Sequence, residues 1–244
     1  VTFEAAAAIG PYFVWEPWTP DADWRPLTDL TDPAVVAERV HAAKDTLVAM
    51  TGLTPDELPD RAIASITFLG LASRLVSPPL AAFALSGERR RPRPDQLWWR
   101  AVPGGPIPMA YSGLDGTTDL VEPVLRAFAD RFAVSDQVMW GNVASALAGA
   151  TGMLATTRPD LAAAAGDECS RVLAGTPQLA GAGTLVRPDP ASPRRFLVRN
   201  NCCLYYRIPG GGYCGDCVLT PEPERERTWS AALEASARSA LPRG

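Results

Sequence analysis

Four of the chain's five cysteines fall between residues 202 and 217, as Cys202, Cys203, Cys214 and Cys217 in C-C-x10-C-x2-C spacing. Sulfur packed so densely predicts a loop built around its thiols. Neighbouring residues on a regular strand point to opposite faces, so Cys202 and Cys203 reach one site only across a turn or kink. Four thiolates converging from one loop suit tetrahedral zinc or an iron–sulfur cluster, because both accept ligation by four cysteines. A two-iron cluster spreads its ligand positions more widely than a single zinc, which makes it the easier partner for an adjacent pair. Pro209-Gly210-Gly211-Gly212 and Gly215 let backbone N–H groups approach sulfur, where hydrogen bonds stabilise the reduced cluster and raise its potential. On spacing alone, an iron–sulfur cluster, a structural zinc, and disulfides or free thiols all stay open.

The expected compartment narrows the choice. The N-terminal stretch VTFEAAAAIGPYFVWEPW carries Glu4 inside its short apolar run, and the first cation is Arg25. A secretory signal needs a basic region ahead of its apolar core, so none is expected. No stretch reaches the roughly 18 uninterrupted apolar residues of a membrane span, and a cytoplasmic protein is the expectation. Structural disulfides are disfavoured there, and clustered cysteines are more often metal ligands or redox groups. A net charge of -4 argues against nucleic-acid binding, which needs a basic surface to displace counterions. With 47% hydrophobic and 20% charged residues the chain has the make-up of a folded globular protein.

Helical punctuation dominates the first two thirds. Thr31-Asp32-Pro33 supplies a cap and a first-turn proline before Val35, Val36, Val40, Leu47 and Val48, and Gly52 is the stop. Residues 61–75 carry apolar side chains at helical spacing, and Ser77-Pro78 predicts the start of a second, shorter helix ending near Gly87. Residues 96–102 and 107–111 read as a hairpin around Pro103-Gly104-Gly105-Pro106, with Pro106 and Pro108 suited only to an edge strand. Helices are expected at 118–133, 136–156 and 159–174, then a Gly/Ala/Pro-rich connector at 175–194. RRFLVRN reads as a strand entering the cysteines, and a final helix follows Pro221 and Pro223. The fold class is therefore mainly α: a helical bundle-like body with a small β-hairpin (1–194), and a short cysteine-rich, cluster-binding segment with the last helix (195–244).

The string CCLYYRIPGGGYCGDC at 202–217 resembles the C-terminal signature of the FhuF-type ferric siderophore reductases, whose four cysteines in this spacing hold a [2Fe–2S] cluster. Weaker likeness extends to GLASRLVSPPLAAFAL at 70–85, LWWRAVPGG at 97–105 and WGNVASAL at 140–147. Asn201 stands where the family often has a small hydroxyl residue, and Val218 where proline is common. By position, the resemblance implies Cys202, Cys203, Cys214 and Cys217 as ligands of a [2Fe–2S] cofactor. It implies an oxidoreductase that passes one electron to iron(III) held by a siderophore, most characteristically a hydroxamate. Ferric iron is a hard cation that favours hard oxygen ligands, and the ferrous ion binds them far less tightly, so the electron releases the metal. The competing class is a non-catalytic protein whose four cysteines hold a structural zinc.

The electron must come from a partner such as a ferredoxin or flavoprotein reductase. Gly181-Ala182-Gly183 is followed by Val186 where a dinucleotide fingerprint needs glycine. Arg199 and Arg207, flanking the first cysteines, are the candidates to tune the cluster or meet the substrate, with ordinary strand-edge arginines as the plain alternative. The run Arg89, Arg90, Arg91 and Arg93 reads as a solvated loop, with contact to an anionic siderophore or an acidic partner as its functional counterpart. His41 is the one histidine, which closes the two-histidine Rieske option. Cys169 reads as a small core residue within a helix.

Overall fold

Asp32 accepts the Ala34 N–H at 2.7 Å and Gly52 takes the left-handed conformation at φ 73°, and between these two caps runs the first long helix. The computed structural model describes residues 2–20, 23–102 and 105–240. Its helices are α1 (Thr2–Ala7), α2 (Pro33–Thr51), α3 (Asp60–Ser86), α4 (Glu122–Phe132), α5 (Asp136–Thr157), α6 (Ala162–Gly175), α7 (Pro177–Ala180) and α8 (Glu222–Ala240). The strands are β1 (Glu16–Pro17), β2 (Arg25–Pro26), β3 (Leu97–Trp99), β4 (Met109–Tyr111), β5 (Gly183–Val186) and β6 (Phe196–Arg199). The protein is mainly α, with the pair α3 and α5 at its centre and α1, α2, α4 and α6 around them.

The expected break at Ser77-Pro78 does not occur: α3 runs unbroken for 27 residues with Pro78 and Pro79 inside it. A proline offers no N–H to the carbonyl four residues back, so Pro78 strands the Arg74 oxygen. The indole of Trp15 donates to that oxygen at 3.0 Å, replacing the missing bond from outside the helix. Trp15 is itself fixed by stacking on Phe3 of α1, ring centroids 5.2 Å apart. The Arg74 side chain completes the clamp. Its Nε donates to the Ile107 carbonyl at 2.8 Å, its Nη2 to Val14 at 2.7 Å, and its Nη1 to Pro11. Burial lowers this guanidinium to about 10, still protonated at neutral pH. The tertiary partner of a backbone carbonyl, invisible in the local pattern, is what lets the prolines stay helical.

Other departures have similar causes. The Asp119 carboxylate accepts the N–H groups of Val121 and Glu122, so α4 starts later than its apolar pattern. The hairpin forms as β3 and β4, but β4 is internal in a four-stranded sheet ordered β1-β4-β3-β2, not an edge. Pro106 and Pro108 lie ahead of β4, where their missing N–H costs no ladder bond. Pro103 and Gly104 lie outside the described residues. The expected connector contains β5, which pairs antiparallel with β6 from Gly183↔Arg199 to Val186↔Phe196. A Cβ at Gly183 would sit 2.6 Å from the Val198 carbonyl oxygen, so the closeness of this pairing demands glycine.

α3 and α5 are each long and apolar enough to cross a membrane by length and composition. In this fold they pack on one another in the core, and both bury polar groups: Ser65, Arg74 and Ser77 on α3, Asn142 and Thr151 on α5. Glu168 of α6, 7% exposed, takes paired hydrogen bonds from Arg89 at 3.0 and 2.7 Å and from Arg171 at 2.7 and 2.7 Å. Burial pushes its carboxyl up, and the Arg171 and Arg89 guanidiniums more than reverse this, bringing it from 4.5 down to about 2.

Replacing Trp15 with Phe keeps the stack and orphans the Arg74 carbonyl. The expected loss is about 1–2 kcal/mol in urea unfolding, with helix content unchanged. A carboxyl depressed in the folded state contributes fully above its unfolded value and loses that contribution as pH falls through the folded one. Stability should therefore decline between about pH 4.5 and 2, and Glu168→Gln should remove that part of the slope in unfolding midpoints measured across this range.

Candidate metal centre

Strand β6 delivers the chain to the site. Arg199 closes the β5 pairing, and Asn200 anchors the turn by donating from its backbone to the Ala182 carbonyl at 3.0 Å and from its side chain to Gly181 at 3.1 Å. The kink that an adjacent cysteine pair requires falls at Leu204, a non-glycine residue at φ 68°. That conformation costs about 1 kcal/mol for a residue with a Cβ. It lets the Leu204 N–H donate to Cys202 Sγ at 3.3 Å and starts a short turn over Tyr205–Arg207. Gly210 and Gly212, at φ 77° and 68°, return the chain to Cys214. Gly211 lies so close beneath the turn that a Cβ would stand 2.6 Å from the Tyr205 carbonyl oxygen.

The result is one loop presenting four unbridged thiols. Cys203 and Cys217 are each 2% exposed; Cys202 and Cys214 are half-buried. Cys203 Sγ and Cys214 Sγ approach to 3.5 Å, and Cys217 Sγ accepts the Leu219 N–H at 3.3 Å. The contact with Cys214 draws the Cys203 thiol down, aided by the Tyr205 N–H and the charge of Arg199, while Cys214 is pushed up by the same contact. A close thiol pair loses its first proton readily and holds its second. Burial raises Cys202, opposed by the Leu204 N–H.

The donor set fits an iron–sulfur cluster. Around a single tetrahedral zinc, with bonds near 2.3 Å, all four sulfurs lie about 3.8 Å apart. Cys203 Sγ and Cys214 Sγ stand 3.5 Å apart, and among the described residues no three His, Cys, Asp or Glu groups gather tightly enough to hold one ion. Two irons, each taking two cysteines, ask for a wider spread, and backbone N–H groups aimed at sulfur are a recurring feature of cluster sites.

Behind the loop stands a buried polar wall. Arg199, 1% exposed, donates to Asn142 Oδ1 at 2.9 Å, Ser145 Oγ at 3.4 Å, Asn201 Oδ1 at 2.8 Å and the Val138 carbonyl at 3.3 Å. Asn142 donates to the Ser65 carbonyl and hydroxyl, both at 2.9 Å, and the Ser65 hydroxyl donates to the Cys203 carbonyl at 2.8 Å. Asp216, inside the CxxC turn, accepts from the Ser145 hydroxyl at 2.6 Å; burial raises its carboxyl against that bond and the Arg199 charge. Gly141 allows this closeness, since its Cβ would stand 2.0 Å from Asn201 Oδ1 and 2.5 Å from Arg199 Nη2.

Of the two candidate substrate arginines, Arg199 is locked behind the thiols and out of reach of a ligand from solution. Its Nη1 and Nη2 donate to the protein instead. Arg207 is exposed beside the loop, its Nε donating to the Tyr206 hydroxyl at 3.3 Å. Cys169 is buried in α6, its thiol pushed up to about 11, away from the other four. His41 is exposed on α2. Sequence reasoning missed Ser65, Asn142, Ser145 and Asp216. The signal was WGNVASAL, where Asn142 and Ser145 interrupt an otherwise apolar helix.

A mainly helical protein with a strained four-thiol loop over a buried polar wall presents the donors that a metal centre or an iron–sulfur cluster takes. Residues 199–219 match the family model described as FhuF 2Fe-2S C-terminal domain, a span that contains all four thiols. The chain thus carries an FhuF-type C-terminal domain, and its cofactor is a [2Fe–2S] cluster. Comparison with curated proteins returned no match.

Gly141→Ala should wedge the wall from the loop. The expected outcome is about 1–3 kcal/mol of destabilisation and fewer irons and sulfides per chain, read by urea unfolding and elemental assay of the same preparation.

Proposed function

We propose that the protein is a ferric siderophore reductase whose [2Fe–2S] cluster is held by Cys202, Cys203, Cys214 and Cys217. The observation that carries this reading is the family match at 199–219 falling on the loop that presents these thiols. When bound, the cluster supplies one electron at a time, and iron(III) in the chelate becomes iron(II), which hard oxygen donors hold far less tightly. A ferredoxin or flavoprotein of the cytoplasm is the external donor, and the family likeness points to hydroxamate-type chelates. Residues 195–244 act in this reading as the cluster-bearing segment on a body formed by 1–194.

The chain's own residues hold and tune the site. The Leu204 and Leu219 N–H groups donate to Cys202 and Cys217, and such bonds favour the more negative, reduced cofactor. Arg199 sets a buried positive charge behind the thiolates, and burial of Cys203 and Cys217 keeps water from half the ligand set. Cys202 and Cys214 lie on the more open side, where an electron enters or leaves.

Anaerobically purified protein should be red-brown, with about two irons and two acid-labile sulfides per chain, become paramagnetic on one-electron reduction, and reoxidise on adding a ferric siderophore. A colourless, zinc-containing protein without sulfide after cluster reconstitution would sink the reductase reading. Cys214→Ser should lose or strongly alter the cluster spectrum; a full cluster with normal reduction of ferric siderophore in that variant would remove Cys214 from the ligand set.

A further inference from the structure

Seven large hydrophobic side chains are exposed among the described residues, and four of them, Tyr206, Tyr213, Val218 and Leu219, belong to the cysteine loop. Exposed apolar residues scattered singly need no explanation, but a group of them at one site marks a surface that another molecule covers. The fold does not need these four. Ile208 is buried in the core and Tyr205 packs against it, so the loop is anchored by their neighbours.

The loop's own bonds gather the four around the thiols. Tyr206 lies in the turn that follows Cys203, Tyr213 precedes Cys214, and the two sulfurs meet at 3.5 Å. The Cys217 N–H donates to the Cys214 carbonyl at 3.0 Å and the Leu219 N–H to Cys217 Sγ at 3.3 Å, so Val218 and Leu219 leave the same tight turn. The resulting collar borders Cys202 and Cys214, the half-buried thiols.

Charge narrows what covers it. Between residues 200 and 221 the only Arg, Lys, Asp or Glu are Arg207 and Asp216. Asp216 is turned to the Ser145 hydroxyl, which leaves Arg207 as the one charge this stretch offers to solvent. Its guanidinium lies over the Tyr206 ring, 5.8 Å from the centroid. Helix α8 then opens with Glu222 and Glu224, both exposed, while Arg225 is turned to the Cys217 and Thr220 carbonyls. An acidic redox protein docks on a field of several cations, which is not present here. A trianionic complex would lose hydration against apolar groups with little counter-charge. Three hydroxamates balance the three positive charges of iron(III), and the neutral complex presents an organic skin suited to aromatic and aliphatic contact.

We propose that Tyr206, Tyr213, Val218 and Leu219 form the docking surface of the iron chelate, and that this surface selects neutral complexes over anionic ones by apolar contact. The inference deepens the reductase reading and rests on it for the identity of the ligand.

The test is isothermal titration of the cluster-loaded protein with two redox-inert probes: the neutral gallium(III) complex of a cyclic trihydroxamate and the trianionic gallium(III) complex of a tricatecholate. The neutral complex should bind, and the trianion should bind more weakly. Tyr213→Ser and Leu219→Ser should each weaken the neutral complex about three- to tenfold, whereas Arg207→Gln should change it by less than about twofold. All three variants should keep the wild-type visible spectrum, since the side chains concerned are exposed. No binding to the wild type, tighter binding of the trianion, or unchanged affinity in both serine variants would overturn the proposal. So would serine variants that bind the probe normally but accept electrons more slowly from a reduced ferredoxin, because the collar would then serve the donor. Reoxidation of the reduced protein by the iron(III) trihydroxamate separates the two readings. Equal rates in wild type and both serine variants would reject the collar and leave the reductase standing. Collar-dependent gallium binding with no electron transfer to the iron complex would keep the docking surface and reject the reductase.

Discussion

The side chain of Asn142 is the point on which this structure turns. It donates to the carbonyl and hydroxyl of Ser65 on α3 and accepts from Arg199 at the end of β6. Three segments distant in sequence therefore meet on one amide, inside a low-dielectric core where each polar group depends on the others being present. The relay continues through the Ser65 hydroxyl to the Cys203 carbonyl, and it stops there. Because the wall grips the loop by the Cys203 carbonyl and by the side chains of Asn201 and Asp216, the thiols themselves are left to a metal. Had the same side chains bonded to sulfur, the wall would compete with the cofactor it supports.

Charge follows the same plan. Arg199 is buried with no carboxylate hydrogen-bonded to its side chain among the described residues, a state that is expensive unless negative charge lies near. Asp216 supplies part of that charge, and thiolates supply more as they deprotonate. Metal binding requires thiolates and releases their protons, so assembly of the site and relief of the buried cation proceed together. The close Cys203–Cys214 pair fits this coupling, since a proton retained by one thiol is the one a metal must displace.

What could be seen in the sequence follows a physical division. α2 was legible because its caps, Asp32 and Gly52, act within a few residues of themselves. The four cysteines were legible because their spacing is chemical information in its own right. The continuity of α3 was hidden because it depends on Trp15, 59 residues from the carbonyl it serves. β5 was hidden because a four-residue strand with Gly183 at its start has weak local preference and gains its structure from β6. Arg199 was drawn to the right loop, but its burial could not be seen there. Its neighbours in sequence placed it near the thiols, whereas its burial is set by Asn142 and Ser145, more than fifty residues earlier.

α5 also explains why its own pattern was difficult to interpret. A surface helix shows one apolar stripe and one polar face. Here both sides are internal: one faces the thiol loop through Gly141, Asn142 and Ser145, and Trp140, Val143 and Leu147 on the other line a cavity of about 440 Å³. The polar residues therefore mark the face that must hold a charged loop, not a face that meets water. Small residues at 141 and 145 let the loop come close, and a large aromatic at 140 shapes the space behind. A helix buried on both sides must be apolar almost all round, and its few polar positions then carry the functional information.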